Sequence, residues 1–245
     1  MARTIFSFFM GSLGAVIITP PAVLFFLLSF FGLKRPMAYL TYKLGQGWGL
    51  LVIAVTGCTC TVSGKEYIPR KGSFCLVANH NSILDIALLL AIVGRPFGFI
   101  AKKELAAVPV FNFWILFLGG LFIDRNNIRK AIGTINEGIR RIKSGGAMVV
   151  FPEGTRSKGR GMLPFKPGSL KLATKSGTPI VPVAISGTYE VFEKTGRVHA
   201  VPVSVYFAPP IATNDIPAEE RGDLPAQVQA IVEGLLKKAE GAASV

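Results

Sequence analysis

From Thr4 to Leu33 the chain runs thirty residues without a charge, and Pro20-Pro21 stands in the middle of the run. A helix that crosses a bilayer needs about 20 predominantly apolar residues. The run is therefore long enough to enter a membrane and too apolar to remain in water. A tandem proline removes two backbone donors and clashes with the preceding turn, so the expectation is a bent helical pair dipping into one leaflet, or one kinked span. A cleaved leader fits less well, because Arg3 is a thin basic region and no small-residue cleavage site follows. Lys34, Arg35 and Lys43 come next, and by the positive-inside tendency they place the rest of the chain on the cytoplasmic face of the cell (inner) membrane.

Composition points the same way. Half of the 245 residues are hydrophobic, the mean hydropathy is +0.48 and the net charge is +13. Such a balance argues against a freely soluble enzyme and against disorder, and favours an anionic phospholipid membrane as partner. A nucleic-acid partner is not expected, because the chain carries no recognisable DNA or RNA motif. Cys58, Cys60 and Cys75 are odd in number and poorly spaced for a disulfide framework, which fits a reducing compartment. Two distant histidines, His80 and His199, make no zinc set, so neither a metal nor a bound cofactor is expected.

Beyond residue 34 the pattern alternates between helix and strand. The uncharged stretch Leu44 to Gly64 reads as a helix docking on the membrane or on the domain and running into a first strand at Thr59 to Ser63, with a second crossing as the lesser alternative. Further strands are expected at Phe74 to Ala78, Phe97 to Ala101, Ala147 to Phe151, Ile180 to Ile185 and Val201 to Phe207. Helices are expected at Ile83 to Val93, Ile128 to Lys143, from Gly168, and at about Pro225 to Glu240. The uncharged segment Leu105 to Ile123, with Phe111, Phe113, Trp114, Phe117 and Phe122, reads as lipid-lined or tunnel-lining, as an ordinary core helix, or as a third span. The sum is an α/β fold: one domain with a mixed, mostly parallel sheet flanked by helices, preceded by an N-terminal two-helix membrane anchor. The expected division is 1-33 for the anchoring helical pair, 34-63 for a connecting helix and first strand, 64-212 for the core, and 213-245 for a C-terminal amphipathic helix and tail.

Asn79-His80-Asn81-Ser82-Ile83-Leu84-Asp85 is a polar island where a buried strand hands over to an apolar helix. Active-site loops of α/β folds lie at such places. Histidine is the side chain whose ordinary pKa suits proton acceptance near neutrality. With Ser82 at the start of the helix, Asp85 reaches back toward the imidazole, making a base and its orienter. The same spacing is also a capping box, in which Asp85 bonds the backbone of Ser82. Both readings stand on this stretch alone.

Two more stretches look unlike packing. Gly120-Leu121-Phe122-Ile123-Asp124-Arg125 ends a strand-like run in an acid and an arginine, suited either to anion recognition by Arg125 or to a local ion pair with Asp124. Phe151-Pro152-Glu153-Gly154-Thr155-Arg156-Ser157 again follows a buried strand. Here Gly154 permits a tight turn, Arg156 suits an anion, and Glu153 orients the arginine or accepts from a ligand hydroxyl. Lys158, Arg160 and Lys166 add positive charge.

Taken together, these stretches resemble the lysophosphatidate acyltransferase family. Its members share a His-x4-Asp motif, a Phe-Ile-Asp-Arg-like block, a Phe-Pro-Glu-Gly-Thr-Arg-Ser block and a Val-Pro-Val block, matched here by His80 to Asp85, Phe122 to Arg125, Phe151 to Ser157 and Ile180 to Ile185. The resemblance spans about Lys65 to Ile185, and the apolar N-terminus resembles the two-helix anchor of small bacterial members.

That resemblance implies an enzyme that moves a fatty acyl group from acyl-coenzyme A or acyl carrier protein to the sn-2 hydroxyl of lysophosphatidate, giving phosphatidate. It implies His80 as general base with Asp85, and no covalent acyl-enzyme. Arg125, Glu153, Gly154, Thr155 and Arg156 would form the acceptor site, with Asn79, Ser82, Lys102 and Lys166 in supporting positions. The same chemistry on glycerol-3-phosphate or another lysophospholipid, and a non-catalytic lipid-binding protein, are the alternatives.

Overall fold

Phe74 to Ala78 are all fully buried, a condition only a strand covered on both faces meets. A computed structural model, which describes residues 1–214, 216–217 and 219–243, places this strand at the centre of a seven-stranded sheet. In chain order the strands are β1 (Cys60–Ser63), β2 (Phe74–Ala78), β3 (Gly98–Lys102), β4 (Leu121–Ile123), β5 (Ala147–Val150), β6 (Ile180–Ser186) and β7 (Val203–Phe207). Their order across the sheet is β1-β7-β6-β2-β5-β3-β4. Every neighbouring pair is parallel except β6 with β7, so the expected mixed, mostly parallel sheet is the observed one. Leu76 lies opposite Val149 of β5 on one side and Val181 of β6 on the other.

The helices are α1 (Ala2–Leu28), α2 (Lys34–Thr56), α3 (Leu84–Val93), α4 (Phe111–Phe117), α5 (Ile128–Lys143), α6 (Lys171–Ser176), α7 (Thr188–Val191) and α8 (Leu224–Ala243). Strand alternation divides the core in two. Phe74, Leu76 and Ala78 of β2 join Leu88, Leu89 and Leu90 of α3 on one face. On the other face, Cys75 and Val77 join Ile139 and Ile142 of α5, Leu172 of α6, and Val228 and Val232 of α8. Helix α5 occupies the expected residues and is capped by the Asn127 side chain, which accepts from Lys130 N at 3.0 Å. Its first turns leave Ile128 and Ile132 exposed rather than in the core. Residues 244–245 of the expected tail lie outside the described residues.

The N-terminus departs from expectation. The break at Pro20-Pro21 does not occur, and α1 runs through both prolines from Ala2 to Leu28. The prolines remove only two ladder donors, and the bonds on either side hold the helix. The Thr19 hydroxyl donates to the Ala15 carbonyl at 2.7 Å and accepts from the Trp114 indole of α4 at 2.9 Å, tying this segment down. With its 3-10 extension to Phe31 this helix is 30 residues long, reaches a mean hydropathy of 2.2 over an 18-residue stretch, and is long and apolar enough to cross a membrane. The expected helical pair within 1-33 is therefore one helix. Its hairpin partner is α2, reached through a turn with Gly32 at φ 85°.

Helix α2 docks on the domain. At Gly49 its backbone approaches α3 so closely that a Cβ would stand 2.5 Å from the Ala87 carbonyl oxygen and 3.0 Å from Ala91 N. The Trp48 indole donates to the Gly11 carbonyl of α1 at 2.9 Å. The uncharged segment from Leu105 forms neither a core helix nor a third span. It is divided into a 3-10 turn, the short α4 and β4, and of the α4 side chains only Ile115 is buried. Pro109 and the Gly119-Gly120 pair end the helical pieces, and a Cβ at Gly120 would meet Ile115 at 2.7 Å. Phe111, Phe113 and Leu116 of α4 are exposed.

The close crossing at Gly49 generates a prediction. In an ordinary helix Gly→Ala gains roughly 1 kcal/mol, but here overpacking of about 1–3 kcal/mol opposes it. Gly49→Ala is expected to lower Tm in detergent. An unchanged or higher Tm would mean that α2 does not sit against α3.

Candidate active site

The parallel strands β2 and β6 end side by side, and the chain after β2 must turn away at once into α3. Asn79 makes this turn possible. Its side chain, fully buried, accepts from Ile185 N at 2.8 Å and donates to the Ile185 carbonyl at 2.9 Å, replacing the ladder where β2 stops. Asn81 donates to the same carbonyl at 2.8 Å and accepts from the Ser157 hydroxyl at 2.9 Å. Between these two asparagines lies His80, fixed on both sides by neighbouring backbone.

Asp85 is fully buried in the first turn of α3. Its Oδ2 accepts from His80 Nδ1 at 2.7 Å, Asn81 N at 2.8 Å and Ser82 N at 3.0 Å, and its Oδ1 accepts from the Thr188 hydroxyl at 2.6 Å. The capping and orienting readings of this stretch are thus both realised, on one oxygen. Ser82 adds its own cap by accepting from Leu84 N at 3.1 Å. Because Asp85 Oδ2 already serves backbone donors, Nδ1 of His80 is the proton-bearing nitrogen and Nε2 carries the lone pair. Among the described residues nothing hydrogen-bonds Nε2, and the imidazole retains 20% exposure. The ring stacks on Phe151 with centroids 4.0 Å apart, which limits its rotation.

The loop after β5 encloses His80. Glu153 Oε1 accepts from His80 N at 2.6 Å, Glu153 Oε2 accepts from Leu163 N at 2.9 Å, and Ser157 N donates to the His80 carbonyl at 2.8 Å. Glu153 therefore lies beneath the site as a brace. This replaces its expected place in the acceptor wall, because both of its oxygens are engaged and the residue is buried. Burial pushes its carboxyl above the usual range, while the two backbone donors pull the other way.

The basic residues fall into two groups. Arg125 donates to the Gly154 carbonyl, and Asp124 pairs instead with Lys103 at 2.9 Å, so the local Asp124–Arg125 ion pair does not form. Gly154 sits at φ 71°, and the Lys166 side chain packs over it, with Nζ 2.9 Å from where a Cβ would stand. Thr155 is exposed beside them. Arg156 pairs with Glu193. Lys102, the last residue of β3, pairs with Glu104 at 3.3 Å on the surface, and no hydrogen bond links it to the histidine.

Two functional groups lie outside the sequence motifs: Thr188 and Glu193. Thr188 is 103 residues from Asp85. No spacing rule connects them, and only the parallel crossover that sets β6 beside β2 brings them together.

The site combines a lone-pair imidazole nitrogen, a carboxylate behind it and arginines nearby, an arrangement suited to deprotonating a hydroxyl on an anionic molecule. The family model described as acyltransferase matches residues 59–186. A 1-acyl-sn-glycerol-3-phosphate acyltransferase of Cocos nucifera is 34% identical over 173 residues, 70% of this chain and 56% of that protein. The Escherichia coli protein of the same description is 37% identical over 163 residues, 66% of each. The chain thus spans from little more than half to about two thirds of the length of these curated relatives. The crystal structure of the 1-acyl-sn-glycerophosphate (LPA) acyltransferase PlsC from Thermotoga maritima superposes with a TM-score of 0.85 at 29% identity, covering 98% of this chain and 95% of that one.

The brace under His80 is testable by stability alone. Glu153→Gln turns one acceptor oxygen into an NH2 that faces a backbone N–H, and the expected loss is about 1–3 kcal/mol in denaturant unfolding. Wild-type stability in this variant would mean that Glu153 does not hold the loop.

Proposed function

The chain belongs to the acyltransferase family, and we propose that it transfers a fatty acyl group from an acyl thioester to the sn-2 hydroxyl of lysophosphatidate, giving phosphatidate. The observation that carries this reading is the pairing of His80 Nδ1 with the buried Asp85 carboxylate at 2.7 Å, which leaves Nε2 free at the edge of the sheet. Nε2 takes the proton of the acceptor hydroxyl as its oxygen attacks the thioester carbonyl. The tetrahedral intermediate collapses with loss of the thiol, to which the imidazolium returns the proton. Asp85 holds the tautomer and stabilises the imidazolium while the proton resides there.

Direct transfer needs no enzyme nucleophile, because a thioester is already reactive. The candidate nucleophiles are also unsuited. The Ser157 hydroxyl is committed to Asn81, and the Cys75 thiol, wholly buried in β2, is pushed up to about 12 by that burial. Arg125 and Arg156 bind the acceptor phosphate, with Gly154 and Thr155 shaping the loop between them.

The acyl donor is an acyl-coenzyme A or an acyl carrier protein; both are acidic, and the net charge of +13 suits either. Helix α1 supplies the membrane attachment that a lysolipid acceptor requires, and the catalytic domain faces the cytoplasm.

The purified protein, given labelled donor and lysophosphatidate, glycerol-3-phosphate or lysophosphatidylcholine in turn, is expected to form product from lysophosphatidate. Transfer to another acceptor alone would move the substrate assignment, and no transfer to any of them would remove the enzymatic one. His80→Ala is expected to lower kcat by about 10²–10⁴-fold in a protein that still folds; retained turnover excludes His80 as the base. Arg156→Ala is expected to raise the KM for lysophosphatidate about tenfold or more, with a smaller change in kcat. An unchanged KM would take Arg156 out of the acceptor site.

A further inference from the structure

Glu193 belongs to none of the sequence blocks, yet it touches two parts of the site at once. Through Oε1 it pairs with the Arg156 guanidinium, and through Oε2 it accepts from Ile83 N at 3.2 Å, immediately before the helix that carries Asp85. Its side chain is only 13% exposed, so this is not the solvated surface pair that contributes little. The segment that carries it is fixed elsewhere as well. Thr188 is bonded to Asp85, and Phe192 packs edge-on against Phe8 of α1 at 4.9 Å between centroids.

A carboxylate beside an arginine that binds phosphate would repel the phosphate if it shared the same donors. The geometry allows another arrangement. Glu193 bonds one terminal nitrogen of Arg156, and a guanidinium has five donors in a rigid plane. The remaining donors stay available, in an orientation set by Glu193. The second bond, to Ile83 N, keeps the carboxylate from following the arginine outward.

We propose that Glu193 is a positioning residue for the acceptor phosphate, holding Arg156 in its binding orientation and tying that orientation to the start of α3. The consequence is selectivity: Glu193 matters for acceptors that carry a phosphate monoester and not for those that lack one. This inference rests on the reading of Arg156 as a phosphate ligand.

The test compares wild type, Glu193→Gln, Arg156→Ala and the double variant, in detergent, on lysophosphatidate and on monoacylglycerol, together with binding of labelled lysophosphatidate in the absence of donor. A glutamine keeps an oxygen for Ile83 N but presents no charge to Arg156. Glu193→Gln is expected to raise both KM and Kd for lysophosphatidate about tenfold, the scale of one charge-assisted hydrogen bond, with kcat within about threefold. Turnover of monoacylglycerol is expected to stay as in the wild type, and Glu193→Gln is expected to add nothing once Arg156 is alanine. Glu193→Asp, which retains the charge, is expected to recover part of the affinity.

Unchanged KM and Kd in Glu193→Gln would overturn the proposal. So would an equal loss on monoacylglycerol, or a full further loss in the Arg156→Ala background, since either is the mark of a general structural role. Wild type that binds lysophosphatidate without acylating it would sink the transferase reading alone, and the binding series would still decide Glu193. Wild type that fails to bind lysophosphatidate would sink both.

Discussion

A fully buried carboxylate must find compensation for the water it has lost, and around Asp85 that requirement organises the whole catalytic edge. Four donors converge on its two oxygens, from His80, Asn81, Ser82 and Thr188. An unpaired carboxylate in such a place would be severely destabilising. The cost is avoided only if β2 ends where it does, if α3 begins within a few residues, and if the segment after β6 folds back over the helix start. One residue thereby links three parts of the chain, and the imidazole is held as one of the donors. The same bond that satisfies the acid selects the tautomer of the base.

A second constraint acts from below. The backbone N–H and carbonyl of His80 are both consumed by the loop after β5, through Glu153 and Ser157. The acidic residue in the middle of a basic loop therefore has a structural partner set. It binds amides under the histidine while the arginines on either side of it face outward. Arg125 and Arg156 are each oriented by a fixed oxygen, one from the Gly154 carbonyl and one from Glu193. Both arginines are thus fixed in or against the loop that braces His80.

The N-terminus follows from the same economy of backbone hydrogen bonds. Helix α1 persists through two prolines, which remove only two of its ladder donors. The domain grips it through α2, whose Gly49 allows backbone contact with α3. Asp85 lies in the first turn of helix α3. The apolar helix and Asp85 are thus two contacts apart, and α4 also touches α1, where Phe117 packs against Phe26 with ring centroids 5.3 Å apart.

The sheet, α5 and α8 were legible from the sequence, because wholly apolar runs bounded by polar turns and a clear 3.6-residue period allow little else. The His80 to Asp85 pair was legible too, since both partners fall within one strand-to-helix turn and local geometry fixes their distance. What local spacing could not supply was any relation between distant segments. The sequence carried no sign that Glu153 would turn under His80 and bond the backbone of His80 and Leu163, because those partners lie 73 and 10 residues away. It broke α1 at Pro20, because the local cost of proline is visible and the packing of Trp114 and α2 against that segment is not. Thr188 and Glu193 were invisible for the same reason. Chain order by itself determined the sheet strands, the fold class and the His80–Asp85 pair; which oxygen meets which donor was decided only when the parallel crossovers brought residues a hundred positions apart to one edge of the sheet, where burial left each polar group no partner but the other.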